Sequence, residues 1–474
     1  MADAPITPSS PLSSTTPSTP KLTKGPSSIL SPTTSQYLTP RLPSPGPGSN
    51  LSALSSPSFR TAKTSLSPSR SNMSAITTTG TSITSKDFSF LLRPEIYHPL
   101  TLLDVPPPFR VTSSQISPST PLLVLMSSGH FRAAAIKAAS LLTSSTPSIP
   151  PSNHAQIFEL VYVRLASLTL CNQTALAAQE VKALEDLNSA YYRNESDGTH
   201  LAPWELRVLA VRLQGMGFND ARRGVVGYYD LAREARGSLS GLKKSRREGQ
   251  DGEDEGKRVE LDTEIELWEN RLAELGIRVA SALIEMEDLE GATRFMCTLK
   301  DPSRLWIHKA LLWLCIGDVE AARACVVQRG ERQLGDENGG GSERDVILAL
   351  AAMADSEFEK AVEIWRGLIE GVTDSADADE DDEEGEKAMW RQNLGVCYLY
   401  LGRMDEARTL LESLITTSHS FHALTFNLST IYELCTERSR ALKIGLAEKV
   451  AGMSDGGGGT GGRGWEKVNG DFKL

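Results

Sequence analysis

At 474 residues and a net charge of −11, the chain has length for about three domains, while its acidic balance works against nonspecific adhesion to nucleic acid or to an anionic membrane surface. Its 6 cysteines, Cys171, Cys297, Cys315, Cys325, Cys397 and Cys435, stand singly without the spacing of a zinc site or a redox dithiol, so they are expected to be buried, reduced thiols of a cytosolic protein. No stretch approaches the ~20 apolar residues of a membrane span, and the N-terminus carries no apolar signal core, so membrane association is expected only through partners.

Residues 1–86 are dominated by Ser, Thr and Pro, bury too little apolar surface to offset chain entropy, and are predicted to be a disordered tail. Its Ser-Pro and Thr-Pro steps, Thr7-Pro8 and Ser67-Pro68 among them, are either sites of proline-directed phosphorylation, each adding roughly −1.5 to −2 charge, or features of an unregulated spacer. Residues 87–120 place Phe88, Leu91, Tyr97 and Phe109 among prolines that forbid a long helix. That segment is a proline-broken docking element, either against the chain's own body or for another subunit. Beyond it, Ala, Leu and Glu recur with helical periodicity and runs of Val, Ile and Thr are few. The fold class is therefore all-α, a tetratricopeptide-like helical-repeat solenoid. Residues 121–236 read as divergent helical repeats. Residues 237–258 read as a charged disordered insert, whose basic half (Lys243, Lys244, Arg246, Arg247) and acidic half (Asp251 to Glu255) neutralise each other.

Residues 259–452 carry the clearer repeats. Ala292, Ala322, Ala361 and Ala407 mark second helices at intervals of 30, 39 and 46, with departures from a period of about 34 assigned to flexible loops at 330–343 and 373–387. The acidic block Asp379 to Glu384 lacks the alternating ligands and central glycine of a calcium loop, and is expected to be solvated and disordered. Leu394, Gly395 and Tyr398, followed by Ala407 and Leu411, have the spacing of a helix-turn-helix whose backbones approach closely at the small residues. Leu428, Ser429 and Tyr432 repeat the run, and Ala441 is the next expected small residue. Residues 453–474 form a Gly-rich linker and a C-terminal tail that tucks back onto the last repeat.

The run Asn393 to Gly402, the run Phe426-Asn427-Leu428-Ser429-Thr430-Ile431-Tyr432-Glu433-Leu434, the basic helix reaching Val450-Ala451-Gly452 and the closing Phe472-Lys473-Leu474 resemble the C-terminal repeats of the TRAPP (transport protein particle) subunit 12 family. The resemblance spans roughly residues 120–474 and is best after 388. It implies a non-catalytic scaffold subunit of a tethering complex that promotes nucleotide exchange on a Rab GTPase in endoplasmic reticulum to Golgi transport and autophagy. Its implied partners are other TRAPP subunits and, indirectly, a Rab; its implied place is the cytoplasm, peripherally at Golgi membranes. The alternative is a chaperone-associated or other tetratricopeptide adaptor.

Catalytic constellations are missing: no phosphate-cradling Gly-x-x-x-x-Gly-Lys-Ser/Thr loop, no Gly-x-Ser-x-Gly elbow and no His-Glu-x-x-His helix. His419 and His422, the nearest histidine pair, suit surface or capping roles better than a metal. No cofactor is expected. A hydrolase or transferase within the weakly matching residues 120–260 is the remaining enzymatic reading. The expected working part is a helix surface, with Gln392, Val396, Phe426 and Thr430 as the possible partner face. These positions carry no positive charge to clamp a peptide carboxylate, and their apolar character favours a persistent protein interface.

Overall fold

The computed structural model describes residues 86–453, except 102, 104, 111–116, 146–147, 218–219, 249–254, 300–304, 333–340, 372–379 and 418, together with residues 471–474. The Ser/Pro-rich tail at 1–85, the Gly-rich stretch at 454–470 and the centres of both expected loops lie outside the described residues.

Among the described residues the chain is all-α, with 16 helices and no strands; one isolated bridge joins Arg193 and His200. The helices are α1 (Leu122–Ser127), α2 (Phe131–Thr143), α3 (His154–Leu170), α4 (Thr174–Glu180), α5 (Trp204–Gly217), α6 (Ala221–Glu248), α7 (Glu255–Glu285) and α8 (Leu289–Thr298). They continue with α9 (Trp306–Ile316), α10 (Val319–Arg332), α11 (Gly341–Ala354), α12 (Phe358–Gly371), α13 (Glu380–Tyr400), α14 (Met404–Thr416), α15 (His422–Cys435) and α16 (Ser439–Gly452). Consecutive helices pack as hairpins, and first helices also meet first helices, α7 on α9, α9 on α11 and α13 on α15. Each pair thus buries its apolar face on its neighbours, as stacked repeats do.

One turn recurs along this stack. Gly129, Asn172, Glu287, Gly317, Ser356 and Gly402 each adopt a left-handed conformation, with φ from 58° to 95°. The next residue's N–H then bonds back into the first helix, as Asp318 N does to Trp313 O at 3.0 Å and Arg403 N to Tyr398 O at 2.8 Å. The bond satisfies a carbonyl that a helix end leaves orphaned. Five residues beyond each left-handed residue stands an alanine with no accessible surface: Ala134, Ala177, Ala292, Ala322, Ala361 and Ala407. In the α5/α6 hairpin Gly224 takes this role, and a Cβ on Gly215 would lie 3.4 Å from its Cα.

Two glycines separate conformation from packing. A Cβ at Gly402 or at Gly367 meets nothing within 4 Å, but Gly402 has φ +76° whereas Gly367 lies inside α12 with no such backbone demand. Gly402→Ala is therefore expected to lower stability by about 1 kcal/mol, and Gly367→Ala to raise it by up to about 1 kcal/mol. Opposite shifts in melting temperature check this; equal shifts would refute it.

Two expected disordered stretches are helical where described. α6 runs on to Glu248 and α7 begins at Glu255, so residues 237–248 belong to a long hairpin rather than to an insert. The basic run finds its partners across that hairpin, Lys243 with Glu269 at 2.7 Å and Arg246 with Asp262 at 2.9 Å. Leu239, Leu242 and Leu261 are half-buried and Ile265 is buried, giving the two helices an apolar seam. The acidic block from Glu380 onward opens α13. Glu384, in its second turn, pairs with Arg391 at 2.9 Å.

The proline-broken segment packs on the chain itself. Phe88 and Leu91 enter the N-terminal core, with Phe88 edge-on to Phe158 at 4.9 Å. Further along, His98 joins a buried polar node: its N–H donates to Glu180 Oε1 at 2.8 Å and its carbonyl accepts from Arg164 Nη2 at 2.7 Å. Arg164 also holds Glu180 through Nε at 2.9 Å and donates to Ala135 O at 3.0 Å. The segment's other end, a 3-10 turn at Pro107–Arg110, lies on α16 and sets Phe109 against the C-terminal core. Residues 86–110 thus reach from the first helices to the last.

Candidate functional site

The C-terminal hairpins α13/α14 and α15/α16 hold most of the residues expected to matter. Gly395 lies at the α13/α14 crossing, where a Cβ would come within 2.8 Å of Leu411 Cδ2. Leu394 and Tyr398 are buried beside it. The Tyr398 hydroxyl accepts from Arg366 Nη2 at 2.7 Å, and the Arg403 guanidinium covers its ring at 4.4 Å, so the tyrosine ties α12, α13 and the following turn together. Leu428, Ser429 and Tyr432 are buried in α15, and the Tyr432 hydroxyl donates to Glu412 Oε1 at 2.9 Å. Burial, then this carboxylate, raises the phenol's pKa. Burial also pushes the Cys397 thiol up to about 12, which keeps it protonated and unreactive at neutral pH.

Ala441 departs from expectation: it is exposed, and α16 instead buries Lys443, Leu446, Ala447 and Val450. The cause is the preceding turn. Thr436 is extended, with φ −156° and ψ 145°, where six other hairpins turn through a left-handed residue. A β-branched side chain disfavours that conformation, and the second helix enters in a different register.

The expected partner face divides. Gln392 and Val396 are each only 1 % exposed, because α13 is packed by α12, α14 and α15; neither is available to a partner. Phe426 and Thr430 are half-buried on α15. Residue 473 covers both: Lys473 Nζ donates to Thr430 Oγ1 at 2.6 Å and sits 4.1 Å above the Phe426 ring. Residues 471–474 thus pack against the last repeat on this face. The sequence reading missed Lys443, Glu433 and Phe109 as members of the same surface. Lys443 had a visible signal, a lysine at a position that helical periodicity assigns to the core.

His419, read as a surface or capping residue, is instead buried, and His422 is half-buried. Burial lowers both pKa values, His419 Nδ1 lies 2.9 Å from Thr417 Oγ1, and His422 stacks on Phe426 at 6.2 Å. Among the described residues no group of three or more His, Cys, Asp or Glu side chains is placed to hold a metal ion, and no helix is long and apolar enough to cross a membrane.

These features define a helical-repeat protein in which the exposed and tail-covered faces of paired helices are the available surfaces. The chain is related to TRAPP subunit 12. It is 24% identical over 352 residues to mouse (Mus musculus) "Trafficking protein particle complex subunit 12", covering 69% of this chain and 42% of the mouse protein. It is also 40% identical over 68 residues to the human (Homo sapiens) protein of the same name, covering 14% of this chain and 9% of that protein. The chain thus spans less than half the length of the curated relatives it matches. No family model matches it.

Proposed function

We propose that this chain is a non-catalytic scaffold subunit of a TRAPP-type tethering complex, one that promotes nucleotide exchange on a Rab GTPase in endoplasmic reticulum to Golgi transport and autophagy. The observation that carries this reading is the similarity to subunit 12 over 69% of the chain. Stacked helix pairs supply long faces suited to protein contacts. The chain works by holding other TRAPP subunits, meets a Rab only through them, and sits in the cytoplasm at the periphery of Golgi membranes through its partners. Nucleic acid is not among its ligands.

Affinity purification of the tagged full chain from cells, followed by mass spectrometry, tests this. TRAPP subunits are expected at near-stoichiometric amounts. Recovery of chaperones or a kinase without any TRAPP subunit would replace the proposal with the adaptor reading.

A further inference from the structure

We propose that the stripe His422, Phe426, Thr430 and Glu433 on α15, with Lys443 of α16 and Phe109, is a binding site for a short peptide carrying an aromatic residue followed by lysine. Residues 471–474 occupy it as an intramolecular ligand. This goes beyond membership of any complex, since the recognition is local.

The four α15 positions are spaced 4, 4 and 3 apart, one face of a helix. Phe472 and Lys473 each meet their own receptor groups, while Leu474 is left exposed. The Phe472 ring is buried against Phe109, with centroids 5.8 Å apart. The Lys473 ammonium meets the Phe426 ring and Thr430 hydroxyl as described, and Glu433 Oε2 at 3.6 Å. The Lys473 carbonyl accepts from Lys443 Nζ at 2.6 Å, and Lys443 in turn holds Glu433 Oε1 at 2.9 Å. That hydrogen bond from Lys443 is the leading cause of Glu433's lowered pKa, so the carboxylate is charged when it meets an incoming ammonium. Asp471 caps the segment's turn, accepting from Lys473 N at 3.0 Å.

Lys473 itself is left-handed, with φ 47°. A non-glycine residue holds that strained conformation only where surrounding contacts over-determine it. The contacts at α15 and α16 therefore hold residues 471–474, and a peptide of the same chemistry meets the same groups. A tethered ligand acts at an effective concentration on the order of millimolar, so an outside peptide is shut out until the cis segment is weakened.

The test uses the full chain bearing Phe472→Ala and Lys473→Ala, and a fluorescein-labelled peptide of the sequence of residues 468–474, read by fluorescence anisotropy. Saturable binding is expected, at least ten-fold tighter to the double variant than to the parent chain. It is lost when the peptide carries Lys473→Glu or when the double variant also carries Glu433→Lys. No binding at millimolar peptide by a variant that keeps its helical circular dichroism overturns the proposal, as does equal binding by parent and variant. Loss of the variant's helical signal at 20 °C would make residues 472–473 part of the core and overturns it too. A concentration-dependent dimer of the parent in sedimentation would seat a second copy's segment in the site and refute the cis assignment.

Discussion

Arg164→Met is expected to lower stability by roughly 3–5 kcal/mol, because it strands Glu180 as an unpaired buried charge. The side chains of the pair are 2% and 1% exposed, so water cannot stand in for the lost guanidinium. The same change removes the donor to the part-buried His98 carbonyl, which adds to the loss; the Ala135 carbonyl also loses its bond from the guanidinium but keeps its partner within α2. Arg164→Met with Glu180→Met removes both charges and is expected to be clearly less damaging than the two single changes summed. Urea denaturation followed by circular dichroism measures all four proteins. A loss below about 1 kcal/mol for Arg164→Met, or simple additivity in the pair, would show that the node contributes little.

Gly395→Trp is the second large effect. Even a methyl group there would press on Leu411, 2.8 Å from Cδ2 and 3.1 Å from Cγ, and Leu411 is fully buried. An indole must push α14 off α13. The cost is expected at or beyond the upper end of the roughly 1–3 kcal/mol typical of overpacking. Gly445→Trp is the control, since a Cβ at that position of α16 meets nothing within 4 Å. If both variants melt alike, close approach at Gly395 is not what sets the crossing.

The crossings were legible because a small residue at a fixed distance from a turn is a local signal. Ala292, Ala322, Ala361 and Ala407 were read from their local second-helix pattern, and in the structure each lies fully buried five residues beyond a left-handed residue, as do Ala134 and Ala177 in the divergent half. Ala441 failed for an equally local reason, the extended Thr436, which counting residues does not reveal. The α6/α7 hairpin was hidden because its glycines and charges obscure a sparse apolar seam, and because the partners of Lys243 and Arg246 lie 26 and 16 residues away. Gln392 and Val396 were read as open because sequence periodicity shows which residues share a helix face and not how many neighbours cover it. Lys473 on Thr430 spans 43 residues, a pairing with no periodic signature at all.

The segment from Phe88 to Phe109 changes how such an array comes apart. An open stack of repeats frays from its ends, since a terminal unit has a neighbour on one side only. Here the element anchored beside α3 also touches α16, and Phe109 meets Phe472, so the first and last units are fastened to one another. Melting must then begin either by peeling that fastening or from an interior hairpin, and the two extremities lose their structure together.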